Sequence, residues 1–367
     1  MALGLRRFLK VVAYCEKDTD CVSVLKHNMQ KGLLDKAPIV KDVQNFPSDL
    51  REVDCVVGSF PCTSLSGLGK HEGFSGESGL FLAMMEVIKI YKPAFCFFEN
   101  VDNIRHMTKE WLTVIVALDT NGYDSRWTIV AACNVGAPHR RKRWFLLAKH
   151  RGTKTTLPAY GRLDLKLEHP WNYEAYRFCR NSMEPDMPRM VQTGNNAIMK
   201  MCGNICVPLQ AALAFVLLTN KGFFTTSTAL KTLPNAMPKT GVFSKGMLWE
   251  SQHDTLLELR PLELQFYQKY YNKTPKRHIF TQRHPVLREV IRRKYYASPR
   301  VCNASWTPST IFTQRTMRDL GTQMRFERST NTNERNFRKL NPDFITWMCG
   351  LPRNYFSTGP SKQIIDT

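Results

Sequence analysis

Two residues with reactive side chains stand directly after strongly apolar stretches. Cys62 follows the stretch DCVVGSFP, and Glu99 ends the run AFCFF. A cysteine on a loop after a buried strand is placed as a nucleophile would be, although an isolated cysteine is more often a small buried hydrophobe. A carboxyl group at the end of an apolar strand is a candidate for acid chemistry, or else for a helix cap.

A basic turn provides the third reactive cluster. Arg141 and Arg143 stand in GAPHRRKRWFLLA, just before an apolar segment that resembles a strand. Alternate residues of a strand share one face, so the pattern predicts that these two side chains point the same way. Paired guanidinium groups can clamp a carboxylate, a phosphate or a base carbonyl. A solvated basic turn is the plainer alternative.

An alternation of strands and helices must position these clusters. Apolar runs predict strands over residues 8–14, 54–59, 94–98, 127–132 and 144–148, and helical periodicity predicts helices over residues 19–29, 80–90, 111–118 and 199–218. This order indicates an α/β fold with a doubly wound, mostly parallel sheet. Ligands of such sheets bind beyond the carboxyl ends of the strands, where Cys62 and Glu99 are expected.

Composition restricts the class of protein and its partners. The 367 residues include 52 Lys and Arg against 31 Asp and Glu, a net charge of +21 that favours a polyanion such as nucleic acid. Hydrophobic residues at 43% exclude a disordered basic tail. The 11 cysteines form no CxxC pair, which predicts no metal site and a reduced, intracellular protein. The sequence contains no run of about 18 apolar residues, so it predicts no membrane span.

Taken together, the segments FPCTSLS, SGLFLAMMEVIKIYKPAFCFFENV and NVGAPHRRKRWFLLA resemble the DNA cytosine-5 methyltransferase family over residues 1 to about 148. The resemblance implies a Rossmann-like methyltransferase sheet with a smaller basic recognition region. It implies that Cys62 is the nucleophile that attacks C6 of the target cytosine. Glu99 would contact N3 and the exocyclic amine, and Arg141 and Arg143 would hold the cytosine O2 and the catalytic loop.

The same resemblance implies S-adenosyl-L-methionine as the cofactor, with no metal. Glu16 matches the acid that holds the ribose hydroxyls, and Asp42 matches the acid that faces the adenine amine. Pro61 and Leu80 match further cofactor contacts. Asn204, in the Gly-Asn pair of KMCGNICVPLQAALAF, matches the late motif that closes the cofactor pocket.

The sequence departs from the family pattern in two places. The family opens with a strand and a Phe-x-Gly-x-Gly-Gly loop, whereas MALGLRR resembles the helix that follows them. We therefore expect an upstream start, a separate N-terminal fragment or a decayed gene, and weak cofactor binding by the chain alone. In most family members another late motif comes before the Gly-Asn motif, but here its counterpart, RKLNPDFITWMCGLPRNY, comes after it. Residues 219–337, which lie between the two motifs, are therefore the candidate recognition region.

These features predict a catalytic core over residues 1–150 that lacks its first strand and glycine loop. Residues 151–218 complete the core, and residues 219–367 form a basic target-recognition region that begins with a linker over residues 219–250. The predicted protein is a monomeric DNA cytosine-5 methyltransferase of a restriction-modification type. It would act on double-stranded DNA in the cytoplasm or nucleus of its host.

Two other functions stay open. A tRNA cytosine-5 methyltransferase shares the catalytic motifs, but residues 251–367, with 20 Lys and Arg against 9 Asp and Glu, favour DNA. A nucleic-acid-binding remnant without activity would agree with the missing glycine loop. The intact reactive clusters argue against such a remnant.

Overall fold

Two compact units make up the chain. The computed structural model describes residues 1–50, 53–60, 80–135, 137, 139–157, 190–191, 195–219, 226–252 and 339–357. The first unit comprises Met1–Ala131, Lys142–Leu167 and Leu209–Asp254, and the second comprises Ala132–Arg141, Glu168–Pro208 and Thr255–Thr367.

The first unit holds most of the described secondary structure. Its strands are β1 (Tyr14–Cys15), β2 (Ile39–Val40), β3 (Cys55–Ser59), β4 (Phe95–Val101), β5 (Tyr123–Ala131), β6 (Lys142–His150), β8 (Thr226–Ala229), β9 (Gly241–Ser244) and β10 (Met247–Gln252). Its helices are α1 (Ala2–Leu5), α2 (Thr19–Gln30), α3 (Leu80–Tyr91), α4 (Thr108–Thr120) and α6 (Pro208–Thr219, of which Pro208 is assigned to the second unit). Short 3-10 turns at Val43–Asn45 and Asp102–His106 follow β2 and β4.

Seven of these strands form one sheet in the order β3-β4-β6-β5-β9-β10-β8. Strands β3 and β4 are parallel, and every other neighbouring pair in this sheet is antiparallel. The α/β class is therefore confirmed, but the sheet is mixed rather than mostly parallel. Strands β5 and β6 are joined by only residues 132–141, and a short connection of this kind suits antiparallel neighbours because parallel strands need a longer crossover.

The predicted linker over residues 219–250 is wrong, because β8, β9 and β10 extend the central sheet through the pairing of β9 with β5. Strands β9 and β10 form a hairpin whose two turn residues, Lys245 and Gly246, have φ values of +50° and +75°. Positive φ at both positions is typical of the tight turn that joins two antiparallel strands. A lysine-glycine pair is a weaker sequence signal for such a turn than asparagine-glycine. The Gly, Ser, Thr and Pro residues around it favour a linker, so the sequence does not predict the hairpin.

Both faces of the sheet are covered by helices. On one face, α3 and α4 form the main core, in which Trp111 meets Trp127 edge-on with their ring centroids 5.1 Å apart. On the other face, Phe215 of α6 lies edge-on to Phe97 of β4 at 5.3 Å. Strand β4 is thus buried on both sides, which explains its continuous apolar run.

Gly241 lies where the added strands meet the core, and replacing it by alanine is expected to destabilise the first unit. A Cβ atom there would lie 2.3 Å from the Trp127 ring and 2.6 Å from the Trp249 carbonyl oxygen. Because Trp127 is fully buried, it has little room to move. Overpacking of this kind costs about 2 kcal/mol, measurable as a lower urea midpoint. Gly152→Ala is the control, since its Cβ would meet only the His150 ring, at 3.2 Å.

The second unit contains β7 (Met190–Val191), which pairs with β11 (Lys339–Leu340), and the helices α5 (Asn196–Asn204) and α7 (Pro342–Met348). Each helix has an asparagine N-cap: the side chains of Asn195 and Asn341 accept backbone N–H bonds at 3.1 and 3.0 Å. The single helix predicted over residues 199–218 is divided into α5 and α6, because a proline disfavours helical geometry in the residue before it.

The stretch Asn196–Thr219 is long and apolar enough to cross a membrane by length and composition. However, 83% of its most apolar window is buried inside the protein. Burial to this extent is typical of the core helix of a globular domain.

Candidate active site

Glu99 is held at the end of β4 by two side chains of neighbouring strands. The Ser59 hydroxyl donates a hydrogen bond to Oε2 of Glu99 at 2.8 Å, and Nε of Arg143 lies 2.9 Å from Oε1. The Glu99 and Arg143 side chains are only 6% and 12% exposed. An ion pair this well buried fixes the carboxylate in position, because breaking it would leave one charge without compensation.

The register of three strands brings these side chains together. Ser59, the last residue of β3, lies opposite Glu99 of the parallel strand β4, and Arg143 lies opposite Val101 in the antiparallel pair β4 and β6. Opposed residues share a face of the sheet, so all three side chains project from the same face. The sequence predicts Glu99 and Arg143 as site residues but not Ser59, for which the one signal is its position as the last residue of a strand beside β4.

Arg141 has a different environment from Arg143. Its guanidinium donates to the carbonyl oxygens of Gly203, at 2.6 Å, and Ile205, all within the second unit. The expected strand alternation does not apply, because β6 begins at Lys142 and Arg141 has a φ of +25°. The prediction that strand geometry aligns the two arginines is therefore corrected. Arg141 contacts the backbone on either side of Asn204.

The two late motifs of the sequence pack together in the second unit. The buried His139 ring is hydrogen-bonded through Nε2 to the Met348 carbonyl oxygen at 2.9 Å. The Cys349 thiol lies 3.9 Å from the carbonyl oxygen of Cys202. Burial raises the pKa of the Cys202 thiol well above its ordinary value, and Cys349 adds to this rise. Cys202 therefore stays protonated at neutral pH and acts as a packing residue rather than a nucleophile.

The predicted cofactor acids lie at the ends of the short parallel strands β1 and β2 in the first unit. Glu16 follows β1, and its Oε1 accepts the backbone N–H of Asp18 at 2.9 Å. Asp42 lies two residues after β2, and its Oδ1 accepts the backbone N–H of Gln44 at 3.0 Å. The pKa of the Cys15 thiol is raised mainly by burial and further by the negative charges of Glu16 and Asp42. Both carboxylates therefore lie near Cys15. The two acids thus share one neighbourhood.

The other predicted site residues are less informative. Leu80 is the first residue of α3 and is partly buried. Asn204 is the exposed last residue of α5 in the second unit. Pro61 and Cys62 lie outside the described residues.

The described part of the chain shows no metal-binding cluster, and one cleft within it lies apart from the predicted site residues. Within it, no group of three or more His, Cys, Asp or Glu side chains is arranged to bind a metal ion. A cleft of about 320 Å³ lies between α3 and the turn after β2, but its lining includes none of the predicted site residues. The structure therefore brings together three sets: Glu99 with Arg143, Glu16 with Asp42, and Arg141 with the backbone around Asn204.

Comparisons with known proteins support one family. The profile of the C-5 cytosine-specific DNA methylases matches residues 1–366. The type II methyltransferase M.CviJI of Paramecium bursaria Chlorella virus IL3A is 36% identical over 148 residues, 40% of this chain and 39% of that protein. M.Bsp6I of Bacillus sp. (strain RFL6) is 33% identical over 115 residues, 30% of this chain and 36% of that protein.

The matched segment thus spans less than two fifths of either relative. A solved structure of a Spodoptera frugiperda DNMT2 mutant aligns with 57% of this chain and 64% of its own, at 17% identity and a TM-score of 0.37. The family profile, in contrast, extends over nearly the whole length of the sequence. On that match, the chain belongs to the C-5 cytosine-specific DNA methylase family.

Proposed function

We propose that this chain transfers a methyl group from S-adenosyl-L-methionine to C5 of a cytosine in double-stranded DNA. The observation that supports this most strongly is the buried pair of Glu99 and Arg143 at the carboxyl end of β4. A carboxyl group held beside a guanidinium in neighbouring strands can exchange a proton with a ring nitrogen, while the guanidinium donates an N–H to a carbonyl oxygen of the same planar heterocycle. Cytosine presents both partners, N3 and O2, on the same edge.

The proposed chemistry begins at Cys62. C5 of cytosine is a poor nucleophile, and addition of a thiolate at C6 turns C5 into an enamine carbon that can attack an electrophilic methyl group. A base then removes the C5 proton, which expels the sulfur. The target cannot be reached inside the base stack, so it must be flipped out of the duplex.

In the proposed step Glu99 delivers a proton to N3, where electron density rises as the sulfur adds, and takes the proton back when the sulfur is expelled. Ser59 and Arg143 each hold one carboxylate oxygen, so Glu99 needs little reorganisation before it acts. Arg143 binds Glu99 through Nε, and its Nη1 donates to the Lys142 carbonyl oxygen at 3.0 Å. Its Nη2 has no hydrogen-bond partner among the described residues, and we assign it to the cytosine O2.

The cofactor residues are compatible with the adenosyl group. Two carboxylates beside the ends of neighbouring parallel strands suit a ligand that carries hydroxyl and amine donors. In our proposal Glu16 accepts hydrogen bonds from the ribose hydroxyls and Asp42 accepts one from the adenine amine. Pro61, Leu80 and Asn204 stay proposed contacts. S-adenosyl-L-methionine, when bound, supplies the electrophilic methyl group.

The Asp42→Asn variant tests the adenine contact. An asparagine keeps the N-cap of the 3-10 turn after β2 but presents an amide donor as well as an acceptor. We expect S-adenosylhomocysteine to bind about tenfold more weakly to the variant, because a charged acceptor is lost. S-inosylhomocysteine, whose base has a carbonyl in place of the amine, should bind better to the variant than to the unaltered chain. Equilibrium dialysis at millimolar ligand measures both; equal weakening of the two would contradict the contact.

Double-stranded DNA is the proposed substrate, and the net charge of +21 supports a polyanionic partner. We propose that the chain acts as an intracellular monomer in the cytoplasm or nucleus of its host, with a restriction-modification role. Incubation with methyl-tritiated cofactor and either duplex DNA or tRNA tests the substrate. Label in DNA is expected; label in tRNA alone would establish the tRNA alternative, and binding to DNA without any label would favour an inactive remnant.

A further inference from the structure

The buried side chain of Glu99 needs a path by which protons reach it. In the proposed function Glu99 delivers a proton to N3 of cytosine, so it must be protonated while the base is bound. Its side chain is almost fully buried and is ion-paired with Arg143, which is the arrangement of an ionised carboxylate. Each cytosine that enters the site therefore requires one proton to reach Glu99 from solvent.

Two side chains of the described residues bond to Glu99, and they differ in what they can do with a proton. Nε of Arg143 lies 2.9 Å from Oε1, and the Ser59 hydroxyl donates to Oε2 at 2.8 Å. A guanidinium group has donors only and stays protonated, so it cannot accept a proton from solvent and pass one on. A hydroxyl group has one donor and two acceptor lone pairs, so it can do both.

Ser59 also has the exposure that a proton path requires. It is the exposed last residue of β3, whereas the next residue, Phe60, is buried and packs edge-on against Phe81 with ring centroids 5.1 Å apart. Within the described part of the chain, the Ser59 hydroxyl bonds to Glu99 and to no other group. Its oxygen can therefore accept a hydrogen bond from solvent while its proton is directed at Oε2.

We propose that Ser59 is a positioning residue that acts through Glu99, and that its hydroxyl relays a proton between solvent and the carboxylate. The inference rests on the proposed function. As a solvent proton binds to Oγ, the original Oγ–H bond breaks and that proton moves along the hydrogen bond to Oε2. The carboxylate becomes a neutral carboxyl group, and Ser59 is a hydroxyl again. Rotation of the new O–H about its C–O bond turns the proton towards the base, and the reverse steps return it to solvent after the product leaves.

Three variants separate the hydroxyl group from the rest of the side chain. Ser59→Ala removes it, and Ser59→Thr keeps it and adds a methyl group that suits a strand. Ser23→Ala is the matched control, because Ser23 of α2 is also exposed and its hydroxyl donates to the Thr19 carbonyl oxygen. Release of tritium from [5-³H]cytosine in duplex DNA reports addition at C6. We expect release by Ser59→Ala to be about tenfold slower, and the other two variants and all DNA affinities to be unchanged.

Chemical rescue distinguishes proton transfer from orientation of the carboxylate. Imidazole, added at constant pH and ionic strength, supplies a small acid that can protonate Oε2 where the hydroxyl is missing. Release by Ser59→Ala should therefore rise with the imidazole concentration. Tetramethylammonium, a cation without a transferable proton, should have no effect at the same concentration. The unaltered chain should respond to neither, because its own hydroxyl already carries the proton.

The possible results distinguish the relay from the proposed function. The relay would be overturned if Ser59→Ala releases tritium at the unaltered rate, if imidazole does not accelerate a slow Ser59→Ala, or if Ser59→Thr is equally slow. No release by the unaltered chain while DNA is bound would refute the proposed function and the relay with it. The imidazole response of the unaltered chain requires no substitution, so a rate that rises there overturns the relay even if Ser59→Ala does not fold.

Discussion

Replacing Cys62 by serine is expected to lower the rate of methyl transfer by about four orders of magnitude or more, with DNA binding nearly unchanged. A serine hydroxyl is almost wholly protonated at neutral pH and adds to C6 far less readily than a thiolate. The substitution removes one sulfur atom and no charge that attracts DNA. The loss should therefore appear in the chemical step and not in the affinity for the duplex.

Covalent trapping measures this directly. In duplex DNA that contains 5-fluorocytosine, the C5 substituent cannot leave as a proton, so an enzyme that adds through sulfur stays attached after methyl transfer. We expect a denaturation-resistant adduct with the unaltered chain in the presence of the cofactor, and none with Cys62→Ser. Cys21→Ser, a partly buried thiol on α2, is the matched control and should retain the adduct. An adduct that persists without the Cys62 thiol would remove Cys62 from the mechanism.

The second large effect is expected for Glu99→Gln, which should lower the methyl-transfer rate about 10²- to 10³-fold with a smaller effect on cofactor affinity. Glutamine preserves the shape of the side chain and an acceptor for Ser59. It removes the proton exchange with N3 and the negative charge opposite Arg143. A carboxyl group on N3 helps mainly when the ring has become electron-rich, so the loss belongs to the transition state.

Glu86→Gln is the matched control, because Glu86 is a largely exposed glutamate on α3 whose only charged partner in the described region is Lys89. Its activity should equal that of the unaltered chain. Single-turnover rates and equilibrium dialysis with the cofactor separate the two roles of Glu99. A comparable loss of cofactor binding and of rate in Glu99→Gln would identify a structural residue instead. Urea unfolding of each variant reports how much stability the buried ion pair provides.

The elements around this site were predictable because they are apolar over their whole length. The run AFCFF predicted β4 within a few residues, and the segment WFLLA predicted the centre of β6. Glu99 and Arg143 were each selected by their position at the boundary of such a run. The ion pair between them was not predicted, because it depends on the register of β4 against β6. Register is set by pairing between distant segments and leaves little trace in either one alone.

Two predictions failed because they extended a local rule beyond its element. Alternation along a strand was applied to Arg141, but β6 begins one residue later and Arg141 has a positive φ. The small and polar composition of residues 219–250 predicts a linker. Instead, Gly241 lies closely against Trp127, a place where a small residue is required by its neighbours rather than by a flexible chain.

The central claim is that this chain activates C5 of cytosine through addition at C6, and release of tritium from [5-³H]cytosine in duplex DNA tests it most directly. Addition of the Cys62 thiolate makes C5 basic, so a solvent proton can replace the tritium without any cofactor. The measurement is thus independent of how well residues 1–367 bind S-adenosyl-L-methionine. We predict release by the unaltered chain above the rate with heat-denatured protein, no release by Cys62→Ser, and greatly reduced release by Glu99→Gln. Release that is equal in the unaltered chain and in Cys62→Ser, or absent from both while DNA is bound, would contradict the account.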